Sequence, residues 1–135
     1  MKTKKTILLV EDDHVDAMTV ERALKDVHVT NPLHVVTDGG AALEYLKTND
    51  APCLILLDLN MPGMNGIEFL QAVKSNDTTR SIPVVVLTTS EDEQDKIKSF
   101  DLSVAGYMVK PVDYNRFVEI MRTIDLYWTL SELPE

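Results

Sequence analysis

Carboxylates, a hydroxyl and a lysine stand at the ends of four short apolar runs, a set of groups suited to phosphoryl transfer. Ile7-Leu8-Leu9-Val10 leads into Glu11-Asp12-Asp13, and Leu54-Ile55-Leu56-Leu57 leads into Asp58 and then Leu59-Asn60-Met61-Pro62-Gly63. Val84-Val85-Val86-Leu87 ends in Thr88-Thr89-Ser90, and Tyr107-Met108-Val109 ends in Lys110-Pro111. A carboxylate is a competent nucleophile toward phosphorus, forming a mixed anhydride that stays open to hydrolysis. Crowded carboxylates repel one another, which a divalent cation relieves, and Mg2+ accepts oxygen ligands while keeping several waters. A lysine brings a compact, mobile ammonium. Taken singly, each residue has a plainer reading. Asp58 would cap the loop after its strand, Thr88 would cap a helix, and Lys110 would be a surface lysine. What favours chemistry is that all of them sit at strand ends.

The elements that must position them follow from periodicity. The four runs are leucine-rich or β-branched, as strands buried on both faces require. Between them, Val15 to Val27 repeats Ala17, Val20, Leu24 and Val27 at helical spacing, and Asn31-Pro32 breaks that helix. Leu33 to Val36 is a predicted second strand, and Asp38-Gly39-Gly40 turns into a helix over Ala41 to Lys47 with Leu43 and Leu46 inward. The third strand is predicted over Cys53 to Leu57, followed by a helix over Gly66 to Lys74 facing inward with Ile67, Leu70 and Val73. Ser75 to Arg80 is polar and turn-like, and Ile82-Pro83 opens the fourth strand. A charged helix is predicted over Glu91 to Phe100, with Ile97 and Phe100 as its inward residues. The fifth strand is Gly106 to Val109, and a last helix from Asp113 repeats Phe117, Ile120, Met121, Ile124 and Trp128. Strictly alternating strands and helices imply a three-layer α/β fold, a (βα)5 doubly wound parallel sheet with right-handed crossovers. Such sheets place ligands at the carboxyl ends of their strands.

Composition narrows the function. The 135 residues suit one domain, and the formal net charge of −9 opposes binding to nucleic acid or an anionic membrane surface. No apolar stretch approaches the roughly 18 residues of a membrane span. Met1 to Thr6 is basic, but the apolar run after it is too short for a signal peptide, so a cytoplasmic location is expected. The lone Cys53 reads as a packed structural thiol. His14, His28 and His34 show no usable metal-ligand spacing.

With those four motifs in order, the chain resembles the receiver domain of two-component response regulators over nearly its whole length. That resemblance implies the flavodoxin-like strand order 2-1-3-4-5. It implies a single receiver domain over 1–135, with a core of about 6–128, a tail of 129–135 and no output domain. It further implies Asp58 as phosphoacceptor and Mg2+ or Mn2+ as the cation. Asp12 and Asp58 would supply carboxylate oxygens, Asn60 its backbone carbonyl, and Glu11 would act partly through water. Lys110 would pair with Asp58 and then with a phosphoryl oxygen, through a Lys110-Pro111 bond that receivers keep cis. Thr88 would be the switch hydroxyl and Tyr107 the aromatic that swings inward with it; a half-buried strand tyrosine is the competing reading, and both can hold. Asp13 reads as the cap of the first helix or as a further metal contact.

Thr89 departs from the pattern, because receivers usually keep alanine or glycine beside the switch hydroxyl. With Asn60 and Ser90 at the positions that tune dephosphorylation, intermediate or slow hydrolysis is expected. The last helix and Leu126 to Pro134 are similar to single-domain regulators that partner bacterial phytochromes. That makes a sensor histidine kinase, phytochrome-type included, or a histidine phosphotransfer protein the expected partner. Tyr127, Leu130 and Leu133 cannot share a core with Ile124 and Trp128; they either fold back or form a homodimer through the last helix and tail.

Three other classes fit less well. A haloacid-dehalogenase-like phosphatase would carry its aspartate nucleophile after the first strand, with a second aspartate two residues on. A flavodoxin-type redox module needs a phosphate loop where Glu11-Asp12-Asp13 would repel phosphate. An interaction module that is never phosphorylated would not need the complete set. The expected protein is a switch, not an enzyme with independent turnover.

Overall fold

In the computed structural model, residues 5–26, 28–59, 66–88, 97–98, 102–109, 114–120 and 122 are described, Thr88 by its backbone only. The predicted Val27 helix end, most of the Glu91 to Phe100 helix, and Met121, Ile124 and Trp128 lie outside the described residues, as does the tail.

The apolar runs form five parallel strands in the order β2-β1-β3-β4-β5. These are β1 (Ile7–Val10), β2 (Leu33–Val36), β3 (Leu54–Asp58), β4 (Val84–Thr88) and β5 (Gly106–Val109). Successive side chains on a strand point to opposite faces, so each central strand feeds two cores. Ile7, Leu9, Leu54, Leu56, Val85 and Leu87 pack with Ala17, Val20, Leu24 and Phe117 on one face. Leu8, Val10, Ile55, Leu57, Val84 and Val86 pack with Phe69, Leu70, Val73 and Ile97 on the other. All four residues of β1, and Leu54 to Leu57 in β3, are fully buried. The outer strands β2 and β5 are only partly covered, as edges are.

The helices α1 (His14–Asp26), α2 (Gly39–Thr48) and α3 (Gly66–Ser75) each bury one stripe. Helix α1 starts one residue earlier than periodicity suggested because Asp13 Oδ1 accepts the Asp16 N–H at 3.0 Å. Helix α2 starts at Gly39 because Asp38 caps it, accepting from the Ala41 N–H at 2.7 Å. Capping side chains satisfy amides that the first turn leaves without an intrahelical acceptor. In α3 the buried stripe is Gly66, Phe69, Leu70 and Val73, with Ile67 only partly buried. The predicted Ile67, Leu70, Val73 line was one residue too narrow. Cys53 precedes β3 and is half-buried, its N–H bonded to the Thr6 carbonyl at 2.9 Å. Residues 114–120 are helical, and Tyr114 ties them to α1 by donating its hydroxyl hydrogen to Asp26 Oδ2 at 2.8 Å.

Phe69→Ala removes a fully buried ring and is expected to cost about 3–5 kcal/mol of stability in urea titrations. Asp38→Ala, which removes only a cap, is expected to cost about 1 kcal/mol.

Candidate functional site

Sheet register builds the site. β1 and β3 are neighbours with Val10 opposite Leu57, so the residues that follow, Glu11 and Asp58, stand side by side at the carboxyl edge of the sheet. Glu11 is fixed by its N–H, which donates to the Val36 carbonyl at 2.9 Å. Asp58 stands opposite Leu87 of β4, and the next amide, Leu59 N–H, donates to the Leu87 carbonyl at 3.0 Å. These backbone bonds hold both residues in the sheet frame, not in a loop.

Glu11, Asp12 and Asp58 bring carboxylate oxygens within 4.8 Å of one another. Glu11 and Asp58 are each 1% exposed, whereas Asp12 lies at the surface. Three oxygen-donor groups of one sign, two of them withdrawn from water, suit a hard divalent cation that keeps part of its hydration. The donor set fits Mg2+ or Mn2+ and lacks the nitrogen or sulfur donors that favour zinc. Asp13 takes no part in this cluster and caps α1 instead, while its own N–H lies 3.4 Å from Glu11 Oε2 and orients that carboxylate.

On the far side of the sheet edge, β4 and β5 pair with Val86 opposite Tyr107 and Thr88 opposite Val109. Thr88 thus ends the strand next to the one carrying Asp58. Its side chain lies outside the described residues, as do Asn60, Thr89, Ser90, Lys110 and Pro111. Tyr107 is half-buried against the core that contains Ile97, and the Lys98 ammonium sits 6.0 Å from its ring centroid. That separation is at the outer reach of a cation–π contact. Burial holds the Tyr107 phenol above its ordinary value. The sequence reading passed over one residue in contact with the site. Gly66, the first residue of α3, sits against Leu59 and the Asp58 carbonyl. A glycine opening a helix eight residues after Asp58 was its only signal.

Comparison with known proteins places this geometry. The response regulator receiver domain model matches residues 7–122. Response regulator Rcp1 of Synechocystis is 38% identical over 130 residues, covering 92% of this chain and 88% of its own. A solved Mn(2+)-bound form of Rcp1 superposes with a TM-score of 0.76 at 37% identity, covering 97% of each chain. The bacteriophytochrome response regulator RtBRR is similar with a TM-score of 0.83 and 43% identity, over 90% of this chain and 78% of that one. The phosphorylated cyanobacterial phytochrome response regulator RcpA gives 0.77 and 38%, over 93% and 94%.

Three outcomes follow from the site's charge and burial. Asp12→Asn removes one of three mutually repelling charges, so the metal-free protein is expected to gain stability at low salt, with the gain shrinking as salt screens it. The same variant is expected to gain less than wild type from added Mg2+. For Tyr107, a raised folded-state pKa favours the neutral phenol. Its contribution to stability is full below the ordinary value of 10.0 and is lost as pH rises through the folded value. An ultraviolet titration of wild type against Tyr107→Phe should show that missing phenol ionising above the ordinary range.

Proposed function

The chain belongs to the response regulator receiver domain family, and from that premise we propose that Asp58 is its phosphoacceptor in a cation-dependent phosphorelay step. The observation that carries this reading is the cluster of Glu11, Asp12 and Asp58, with carboxylate oxygens within 4.8 Å at the carboxyl edge of the sheet. An Asp58 carboxylate oxygen attacks phosphorus as the phosphorus–nitrogen bond of a phosphohistidine donor breaks, and the departing imidazole takes up a proton. Glu11, Asp12 and Asp58 would hold Mg2+ or Mn2+, with the Asn60 carbonyl as a further ligand; the cation supplies charge neutralisation for the phosphoryl oxygens. Backbone bonds at Glu11 and Leu59 keep the carboxylates oriented before the donor arrives, which lowers the entropic cost of reaction.

Lys110 and Thr88 keep the roles the family pattern assigns them, each binding one phosphoryl oxygen. A phosphoryl group brings about −1.5 to −2 charges and three acceptor oxygens, by analogy with hydroxyl phosphorylation. Driving a switch from 1:99 to 99:1 takes about 5.5 kcal/mol, within reach of a few charge-assisted hydrogen bonds. Tyr107, one strand from Thr88 and packed toward Ile97, is the relay through which the change reaches the surface. Thr89, beside the switch hydroxyl, slows hydrolysis together with Asn60 and Ser90.

Support for the donor class comes from the bacteriophytochrome and phytochrome response regulators this chain resembles. We therefore infer a histidine kinase of phytochrome type, or a histidine phosphotransfer protein, as donor. The protein would be a cytoplasmic regulatory switch without independent turnover, and a homodimer through the last helix and tail would be its readout surface. No described helix is long and apolar enough to cross a membrane.

Intact-mass analysis after incubation with Mg2+ and acetyl phosphate tests the reading. One added phosphoryl group is expected in wild type, and none without Mg2+ or in Asp58→Asn. An equal adduct in Asp58→Asn would place the chemistry elsewhere.

A further inference from the structure

We propose that Gly66 is a positioning residue for the Asp58 site, and that the lack of a side chain there sets where the Asp58–Leu59 backbone lies. The inference rests on the reading of Asp58, Glu11 and Asp12 as a cation-dependent acceptor site. Helix α3 begins at Gly66, whose N–H donates to the Leu59 carbonyl at 3.3 Å, so the chain that leaves β3 at Leu59 comes back to the same point. A Cβ on residue 66 would lie 2.6 Å from Leu59 Cα, 2.6 Å from Leu59 Cδ2 and 3.0 Å from the Asp58 carbonyl oxygen. The Cδ2 contact could be relieved by rotating the leucine. The other two are main chain.

Neither side of that contact is free to give. Leu59 is bonded to the Leu87 carbonyl, and Asp58 is in register with Leu87 inside the sheet. Helix α3 is anchored by Phe69, Leu70 and Val73, each no more than 1% exposed. Relaxing 2.6 Å to the 3.4 Å of ordinary contact moves main chain by most of an ångström. Functional groups must be held within about 0.5 Å of their productive geometry, so the displacement is large enough to misplace the Asp58 carboxylate relative to Glu11 and Asp12. Two other described glycines differ. A Cβ on Gly40 would meet only the Asp38 side chain at 3.2 Å, and one on Gly106 only the Ile120 side chain at 3.9 Å.

The test uses Mn2+ itself, titrated by electron paramagnetic resonance into the full chain, with metal-free urea unfolding measured alongside. Wild type, Asp58→Asn, Gly66→Ala and Val73→Ala are compared. Val73→Ala loosens the same helix from the core seven residues beyond Gly66, where no main-chain contact with Asp58 or Leu59 is altered. Gly66→Ala is expected to weaken Mn2+ binding tenfold or more, and Val73→Ala to keep wild-type affinity despite lower stability. In the metal-free Gly66→Ala protein, the Leu59 amide resonance is expected to shift. Wild-type affinity in Gly66→Ala, or an equal loss in Val73→Ala, would overturn the proposal. Failure of wild type to bind Mn2+, or undiminished binding in Asp58→Asn, would overturn the acceptor-site reading beneath it. Should Gly66→Ala not fold, Leu59→Ala/Gly66→Ala is set against Leu59→Ala. The Cα and carbonyl contacts remain there, so tenfold weaker binding is again expected and equal binding refutes the role.

Discussion

Mutual repulsion among Glu11, Asp12 and Asp58 is the constraint on which the rest depends. Two unit charges 4.8 Å apart, the outer limit of the oxygen separations here, repel by about 1 kcal/mol at the dielectric of water and about 3–4 kcal/mol at an effective value near 20. The chain tolerates this because the residues just before the acids are fully buried. Ile7 to Val10 and Leu54 to Leu57 have no exposed surface, and each such side chain contributes about 1.5–3 kcal/mol of burial. A cation at this edge would bring opposite charge to carboxylates that a buried core holds in place.

The same rigidity would serve the proposed switch. Glu11 and Leu59 are fixed by bonds from their amides to neighbouring strands, so charge added at Asp58 would not be absorbed by movement of that backbone. Relief has to come from elements at the sheet's less buried side. β5 is one such element, with Tyr107 half-buried and Val109 46% exposed. Tyr107 packs against the core that contains the fully buried Ile97, and the Lys98 ammonium lies 6.0 Å from its ring centroid. Packed interiors switch between discrete arrangements instead of deforming smoothly, which suits a two-state reading of that region.

Much of this was legible in the residues. β2 and β5 have their predicted bounds, because Asn31-Pro32 and Gly106 punctuate unambiguous runs. The family pattern supplied the strand order, which periodicity alone does not distinguish. Helix starts were less legible: Asp13 and Asp38 act through side-chain caps, which moved α1 and α2 one and two residues upstream of the first apolar repeat. Phe69 was missed because a three-residue spacing drawn through Ile67 ignores the wider stripe a helix buries against a sheet. Contacts between residues distant in sequence left no local signal, as with the His34 and Tyr45 rings stacked at 4.5 Å and the Tyr114 bond to Asp26. Gly66 was read as a helix residue like any other, since it is the folded chain that brings Leu59 against it.

The most direct test of the central claim is to locate the acyl phosphate. After reaction with acetyl phosphate and Mg2+, borohydride reduction converts a phosphorylated aspartate to homoserine, which peptide mass spectrometry assigns by position. Homoserine at residue 58 and at no other acid is the expected result. Homoserine at Asp12 or Asp13, or at no residue of a protein that had gained phosphate, would contradict the account.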